Sequence, residues 1–179
     1  MSTSSSVGWR SGAALTALLA PALLAAQTAA PRVPLYWLYN VAETDSAYTV
    51  SDERRNRLVR ERGYSDMGPI GYVDSAPQPH SRPLRCFHIG PPKTDTSCTT
   101  SALEQKIARG LGYEEIGVEG YVPTERAADT VVLYRVSRAY GEGNRDREHR
   151  FVVDPDELRR LRKLNWTYDG SKGFVYRVP

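Results

Sequence analysis

The chain has 179 residues, of which 40% are hydrophobic and 25% are charged. This balance excludes a disordered polymer and a bundle of membrane helices. Lysine and arginine number 24 against 21 acidic residues, which leaves a formal net charge of +3. That charge is too even to indicate nucleic-acid binding, which requires basic residues concentrated on one face.

The first thirty residues have the pattern of a secretory signal peptide. Arg10 precedes the apolar run AALTALLAPALLAA at 13–26, and small residues continue to Ala30. As a helix this run would span roughly 21 Å, short of the ~30 Å hydrocarbon core of a bilayer. A buried N-terminal helix is the alternative. We predict a signal peptide over 1–30, export of the chain, and no membrane span after cleavage.

Three stretches of the chain align without gaps. They read GYSDMGPIGYV at 63–73, GYEEIGVEGYV at 112–122 and NWTYDGSKGFV at 165–175. An aromatic residue, two glycines, a second aromatic residue and a valine occupy the same five columns in each. Self-similarity at nearly constant spacing is typical of repeat proteins. We therefore predict three repeats, at 34–73, 83–122 and 132–175, within a single domain of residues 31–179.

Each repeat reads as strand, strand, helix and strand. Ser51, Ser101 and Asp154 are typical helix N-caps, and Gly63 and Gly112 suit the left-handed residue after a helix. The helices carry thin apolar stripes, such as Leu103, Ile107 and Leu111, which we expect to face a core. Because about forty residues bury too little surface to fold alone, the repeats must share that core. The predicted fold class is α+β, a pseudo-threefold compact arrangement of three strand-strand-helix-strand repeats, with an open stack as the alternative.

The first repeat carries a resemblance to a known family. Its residues PLYWLYN at 34–40, Asp45, Tyr48-Thr49 and the stretch 63–73 resemble a tandem repeat domain of unknown function found in secreted bacterial proteins. Units of that family read P-L-Y-R-x-Y-N, then D-H-F-Y-T-T, then G-Y-x-x-E-G-x-A-G-Y-V. The other two copies diverge: Cys98 replaces the tyrosine, and Glu148-His149 replaces the aspartate–histidine pair. The resemblance implies a bacterial protein, secreted or periplasmic, with an adhesive or glycan-binding role and no catalytic residues.

Aromatic residues indicate where a ligand would bind. Sugars are held by flat aromatic faces together with carboxylate or hydroxyl groups. Tyr36, Trp37, Tyr39 and Asp45 are therefore our candidate ligand-binding residues. The aromatic columns shared by all repeats, Tyr64/Tyr113/Trp166 and Tyr72/Tyr121/Phe174, are predicted to be core. The columns that vary, Trp37/Cys86/Arg135 and Tyr39/His88/Ser137, are predicted to be exposed.

Cys86 and Cys98 are an even pair in a chain predicted to be exported, which favours a disulfide. One conflict remains at this level. Cys86 aligns with the column predicted to be exposed, whereas Cys98 aligns with the apolar Tyr48 and Phe151. Cross-strand partners share a face of the sheet, so either the bond or the face assignment must be wrong.

Patterns for metals and catalysis are weak. The three histidines lack zinc-site spacing, no G-x-S-x-G or G-x-G-x-x-G motif occurs, and the calcium-like loop 142–146 contains Arg145. Glu148-His149 with Asp154 and Asp156 could be drafted as a hydrolytic dyad, but a polar strand start beside a helix cap is the favoured explanation. We expect no metal, no cofactor and no nucleic-acid partner.

These patterns together favour an exported, non-catalytic binding module that recognises a glycan or cell-envelope polymer. A structural or protein-interaction role in the envelope, with a protein partner, is the alternative. A secreted hydrolase is the third hypothesis.

Overall fold

The computed structural model describes residues 30–140 and 146–179. Apart from Ala30 and Asp146, the predicted signal peptide and the calcium-like loop lie outside these residues. In chain order the elements are β1 (Arg32–Asn40), β2 (Asp45–Thr49), α1 (Asp52–Arg62), β3 (Ser65–Asp74), β4 (Ser81–Ile89), β5 (Asp95–Thr99), α2 (Ala102–Gly110), β6 (Glu114–Pro123), β7 (Thr130–Tyr140), β8 (Asp146–Val152), α3 (Pro155–Lys163) and β9 (Thr167–Tyr176).

Antiparallel pairing divides the strands into three groups. We call the stretch β1–β3 segment I, β4–β6 segment II and β7–β9 segment III. In each segment the first strand lies between the other two and pairs with both. Short bridges then join the segments, Asp74 to Tyr121 between β3 and β6 and Tyr72 to Tyr176 between β3 and β9. The nine strands thereby form one antiparallel sheet.

The predicted fold class is wrong. Strands take up 52% of the described residues and three short helices only 20%, so the fold is β-rich and is not a pseudo-threefold α+β arrangement of repeats. The reason is that the helices bury almost nothing. Their only buried side chain is Leu161 of α3, and Leu103, Ile107 and Leu111 are all more than half exposed. A helix that buries no stripe cannot form a second layer.

The helix boundaries follow local sequence. The hydroxyl of Ser51 accepts a hydrogen bond from the backbone N–H of Arg54, and Ser101 caps α2 in the same way through Glu104. Asp154 caps α3 by accepting from the backbone N–H of Asp156 at 2.9 Å. Gly63 ends α1 at φ +72°, in the left-handed region that glycine tolerates best.

The core lies where the three short strands β2, β5 and β8 contact one another. Strands β2 and β5 are buried at every residue. Tyr48 and Phe151 pack with ring centroids 4.7 Å apart, and the backbone N–H of Phe151 donates to the Tyr48 hydroxyl at 2.8 Å. The buried cluster around them is Leu35, Tyr48, Val73, Leu84, Cys86, Cys98, Val122, Leu133, Phe151 and Val175.

The disulfide joins Cys86 of β4 to Cys98 of β5, which face each other in the register of the two strands. The disulfide prediction is thus confirmed, and the face assignment was wrong. Cys86 is fully buried, Arg135 is 7% exposed, and Trp37 packs against the same core. The varying column faces inward because its residues lie opposite the buried Tyr48, Cys98 and Phe151 in the strand register.

Different chemistry joins each pair of segments. Between I and II, the Arg54 guanidinium donates to Glu119, whose second oxygen accepts from the Thr49 hydroxyl and the backbone N–H of Val50. Between II and III the charges are reversed, and the Lys172 ammonium contacts Glu104 at 2.7 Å. Between III and I, the apolar Ile70 and Val153 pack against the core. The surface of each segment therefore matches only the segment that it contacts.

Within residues 30–140 and 146–179, no helix has both the length and the apolar character needed to cross a lipid bilayer.

Three glycines permit the close approach of β3, β6 and β9. A Cβ on Gly71 would strike Val175, one on Gly120 would strike Val73, and one on Gly173 would lie 2.8 Å from the Pro123 carbonyl oxygen. The struck valines, Val73 and Val175, belong to the buried core. Because these glycines lack a side chain, a core valine of the neighbouring segment can pack directly against their backbone.

We expect Gly120→Ala to destabilise the protein more than Gly170→Ala. Both residues have nearly the same backbone, φ +92° and +90°, but nothing lies within 4 Å of a Cβ on Gly170. Each substitution costs about 1–2 kcal/mol for its left-handed backbone. Gly120→Ala should cost about 1–3 kcal/mol more through overpacking. Equal unfolding free energies in chemical denaturation would contradict the close-approach explanation.

Candidate binding pockets beside a ring of buried carboxylates

Each segment directs a carboxylate into the next segment. Asp45 of β2 accepts from the backbone N–H of Thr96 at 2.6 Å and from its hydroxyl at 3.0 Å. Asp95 of β5 accepts from the backbone N–H of His149 at 3.2 Å. Glu148 of β8 accepts from the Ser46 hydroxyl at 3.1 Å, which closes the cycle. We call Asp45, Asp95 and Glu148 the carboxylate ring; all three are buried.

Two tyrosines complete the bonding of the ring. The Tyr64 hydroxyl donates to Asp45 and the Tyr113 hydroxyl to Asp95, both at 2.5 Å. Burial and the adjacent carboxylate raise the pKa of both phenols, so the tyrosines stay neutral donors. Tyr64 and Trp166 are buried as predicted, whereas Tyr113 is half-buried and borders a pocket.

The first pocket, which we call the His149 pocket, lies between segments II and III and has a volume of about 320 Å³. Its apolar lining comes from Ile89, Ala108 and Leu111, and its polar lining includes Lys93, Asp95, Tyr113, Arg147 and His149. The His149 Nδ1 lies 2.7 Å from Asp95 Oδ2. Because a carboxylate accepts there, Nδ1 carries the proton and Nε2 is the ring's remaining polar atom.

The second pocket, which we call the Thr96 pocket, lies between segments I and II and has a volume of about 500 Å³. Thr96 and His88 contribute to it from segment II, with His88 Nδ1 3.2 Å from the Thr96 hydroxyl. Segment I contributes Tyr64 and the α1 side chains Arg54, Arg57, Leu58, Glu61 and Arg62. Both pockets thus combine a ring-bound tyrosine with a histidine, but the helix side is apolar in the His149 pocket and mostly charged in the Thr96 pocket.

The structure separates the candidate residues predicted from sequence. Trp37 and Tyr39 share a face of β1, with ring centroids 6.4 Å apart. The Trp37 indole donates to Ser46, and the Arg150 guanidinium lies 4.4 Å from the Trp37 ring. Tyr36 lies apart from them, under the Arg55 guanidinium at 4.0 Å. Asp45 is fully buried in the carboxylate ring.

The columns predicted to be exposed are not exposed. Tyr39 and His88 are half-buried, and Ser137 is 2% exposed. Burial, followed by the negative charge of Glu148, raises the pKa of the Tyr39 phenol. These residues flank the carboxylate ring because they pair across the sheet with β2, β5 and β8, for example Tyr39 with Ser46 and His88 with Thr96.

Sequence reasoning missed the partner of His149. The drafted dyad used Asp154 and Asp156, but Asp154 caps its own helix, and Asp95 holds the imidazole. The repeat alignment contained a usable signal, since Asp45, Asp95 and Glu148 each stand three residues before the aligned Tyr48, Cys98 and Phe151. Asp95 accepts from both the backbone N–H and the ring of His149, and the Ser97 hydroxyl in the same pocket is 3.3 Å from Arg135. This arrangement can donate, accept and position hydrogen bonds.

Across the two described ranges, His, Cys, Asp and Glu side chains do not form a group of three able to hold a metal ion.

A family model described as a domain of unknown function (DUF5648) matches the chain twice, over residues 5–90 and 85–176. The double match agrees with the repeat domain of unknown function inferred from sequence. The count of three copies, the quoted motifs and the bacterial origin stay predictions. No curated protein and no solved structure matches this chain.

Acidification should raise the unfolding free energy of the wild type relative to that of Asp45→Asn. Burial and the neighbouring Asp95 raise the pKa of Asp45 above its usual value of 3.8, against the hydrogen bonds from Tyr64 and Thr96. Protonation of Asp45 therefore favours the folded state, and this contribution is lost as the pH rises through the folded pKa. Each unit of pKa difference corresponds to about 1.4 kcal/mol.

We expect the unfolding free energy of the wild type, minus that of Asp45→Asn, to increase as the pH falls from about 7 towards 4. Chemical denaturation at several pH values measures this difference. The control is Asp52→Asn, whose side chain is 76% exposed, and whose difference should stay within about 0.5 kcal/mol. Parallel stability curves for the wild type and Asp45→Asn would contradict the prediction.

Proposed function

The chain belongs to the DUF5648 family, and from its pockets we propose that it is an exported, non-catalytic binding module that recognises a glycan or cell-envelope polymer. The observation that carries the proposal is the His149 pocket. It is a concavity of about 320 Å³ with Ile89, Ala108 and Leu111 on its apolar side and Tyr113 and His149 among its polar groups. Sugars present C–H patches and many hydroxyls, so this mixture suits them.

The polar groups of the pocket are held in place before any ligand binds. Tyr113 and His149 both bond to Asp95, whose side chain is 2% exposed. Side chains fixed in this way lose little conformational freedom on binding, which favours affinity. The Thr96 pocket repeats the arrangement through Tyr64 and Asp45.

Export is supported by the disulfide and by the N-terminal pattern. Cys86 and Cys98 are bonded inside the core, and structural disulfides persist mainly in oxidising compartments. The apolar run at 13–26 after Arg10 fits a secretory signal. A location outside the cytoplasm, secreted or periplasmic in a bacterium, fits both observations.

Occlusion of the His149 pocket tests the proposal without changing charge. Ala108→Trp places an indole in the pocket, whereas Ala102→Trp adds the same side chain at an exposed residue of α2 that does not line it. In polysaccharide pull-downs with equal thermal stability, we expect about a tenfold weaker retention for Ala108→Trp and wild-type retention for Ala102→Trp. Equal retention by both variants, or no retained polymer, would contradict the proposal. Cleavage of the polymer would instead favour the hydrolase hypothesis.

The second candidate function is a protein-interaction role in the envelope. Leu103 and Ile107 of α2 and its C-cap Leu111 recur every four residues and are 67%, 51% and 66% exposed. Four-residue spacing places them on one helix face, and exposed apolar patches of this kind mark interaction surfaces.

For this second role we expect Leu103→Ser/Ile107→Ser to abolish co-purification of a protein partner without weakening polysaccharide retention, since neither residue lines the His149 pocket. Val59→Ser is the control, because Val59 is an exposed apolar residue of a different helix. Cross-linking followed by affinity purification measures the partner. A partner that is retained equally by both variants, or is released by added sugars, would contradict the protein-interaction role.

A further inference from the structure

We propose that the two pockets bind anionic groups, carboxylates or phosphates, carried by an acidic polymer, with one group in each pocket. The inference rests on the proposed function and narrows its ligand class. It is carried by the charges that line the pockets and by the contacts that already occupy their acidic side chains.

In the His149 pocket the acidic group is already hydrogen-bonded within the protein. Asp95 accepts from the Tyr113 hydroxyl, the His149 backbone N–H and the His149 ring. The other charged groups of the lining are the cations Lys93 and Arg147, both exposed. Within the part of the chain that the structure describes, neither forms an ion pair. An anion entering this pocket would meet two cations and the imidazole of His149.

The Thr96 pocket repeats this charge pattern with different residues. Its buried acid Glu119 is occupied by Arg54, Thr49 and Val50. Arg57 and Arg62 of α1 are exposed in the lining, and in the described ranges their guanidinium groups form no ion pair. Glu61 is the one exposed acid there, so the exposed charges still sum to positive. His88 of β4 supplies the imidazole of this pocket, whereas His149 belongs to β8.

The two pockets adjoin through β5. Asp95 lines the His149 pocket and the next residue, Thr96, lines the Thr96 pocket, because successive side chains of a strand point to opposite sides. A polymer that carries repeated charges and is flexible enough to reach both sides of β5 can engage both pockets at once. Two linked contacts bind more tightly than either alone, and exposed ion pairs weaken as salt rises.

Three polymers distinguish whether the bound anionic group is a carboxylate or a phosphate. Binding of the full-length exported protein is measured by biolayer interferometry on immobilised polygalacturonate, which carries carboxylates, on polyphosphate, and on neutral dextran. The pocket variants are Lys93→Ala/Arg147→Ala and Arg57→Ala/Arg62→Ala. The matched control, Lys106→Ala/Arg126→Ala, removes two exposed cations that line neither pocket. Thermal unfolding confirms that all variants fold.

We expect binding to at least one charged polymer, a loss of about tenfold in each pocket variant, and little change in the control. Affinity should fall further when salt is raised from about 50 to 300 mM. Tighter binding to polygalacturonate would identify the bound group as a carboxylate. Tighter binding to polyphosphate would identify it as a phosphate.

Two results would overturn the anion inference alone. One is dextran binding that the pocket variants do not change, which leaves the glycan-binding proposal standing. The other is an equal loss in the control variant, which would indicate attraction by overall charge. Absence of binding to every polymer would overturn both the inference and the proposed function.

Discussion

The structure depends on hydrogen bonds that link three buried carboxylates to neighbouring segments. Asp45, Asp95 and Glu148 each accept from a residue of the next segment, in a cycle that closes on Ser46. A buried carboxylate without donors costs several kcal/mol, so β2, β5 and β8 must meet in the register that supplies those donors. The position of the three strands in turn sets where Tyr48, Cys98 and Phe151 pack.

The same carboxylates create the pockets. Asp95 holds Tyr113 and His149, and these two side chains form the polar wall of the His149 pocket. Asp45 holds Tyr64 and Thr96 beside the second pocket. Changes in the carboxylate ring therefore act on stability and on the shape of the pockets together, whereas Lys93 and Arg147 line the His149 pocket as exposed side chains. Loss of either cation should consequently leave the fold intact.

The segments resemble one another, but their boundaries are chemically distinct. Arg54 with Glu119 and Glu104 with Lys172 occupy equivalent places with reversed charge, and Ile70 replaces a charge at the third. A wrong pairing of segments would place like charges together or leave a buried charge without a partner, which is strongly unfavourable. The divergence also means that the pockets at these boundaries differ in shape and lining.

Local features of this protein were determined by sequence alone. Capping residues such as Ser51 and Ser101, the left-handed Gly63, and the element order of each segment depend on neighbours within a few residues. The disulfide followed from having two cysteines in a chain predicted to be exported. Fold class and the direction of side chains were decided by tertiary packing. The α2 stripe looked like a core face, yet the sheet filled the core without it and left Leu103 exposed.

The candidate site shows the same division. Sequence identified Asp45 and the aromatic residues of β1 as unusual, but it paired His149 with acids close in the chain. Asp95 is 54 residues from His149, and only the packing of β5 against β8 brings them together. Local sequence determines which residues can bond, whereas the fold decides which distant residue is near enough to do so.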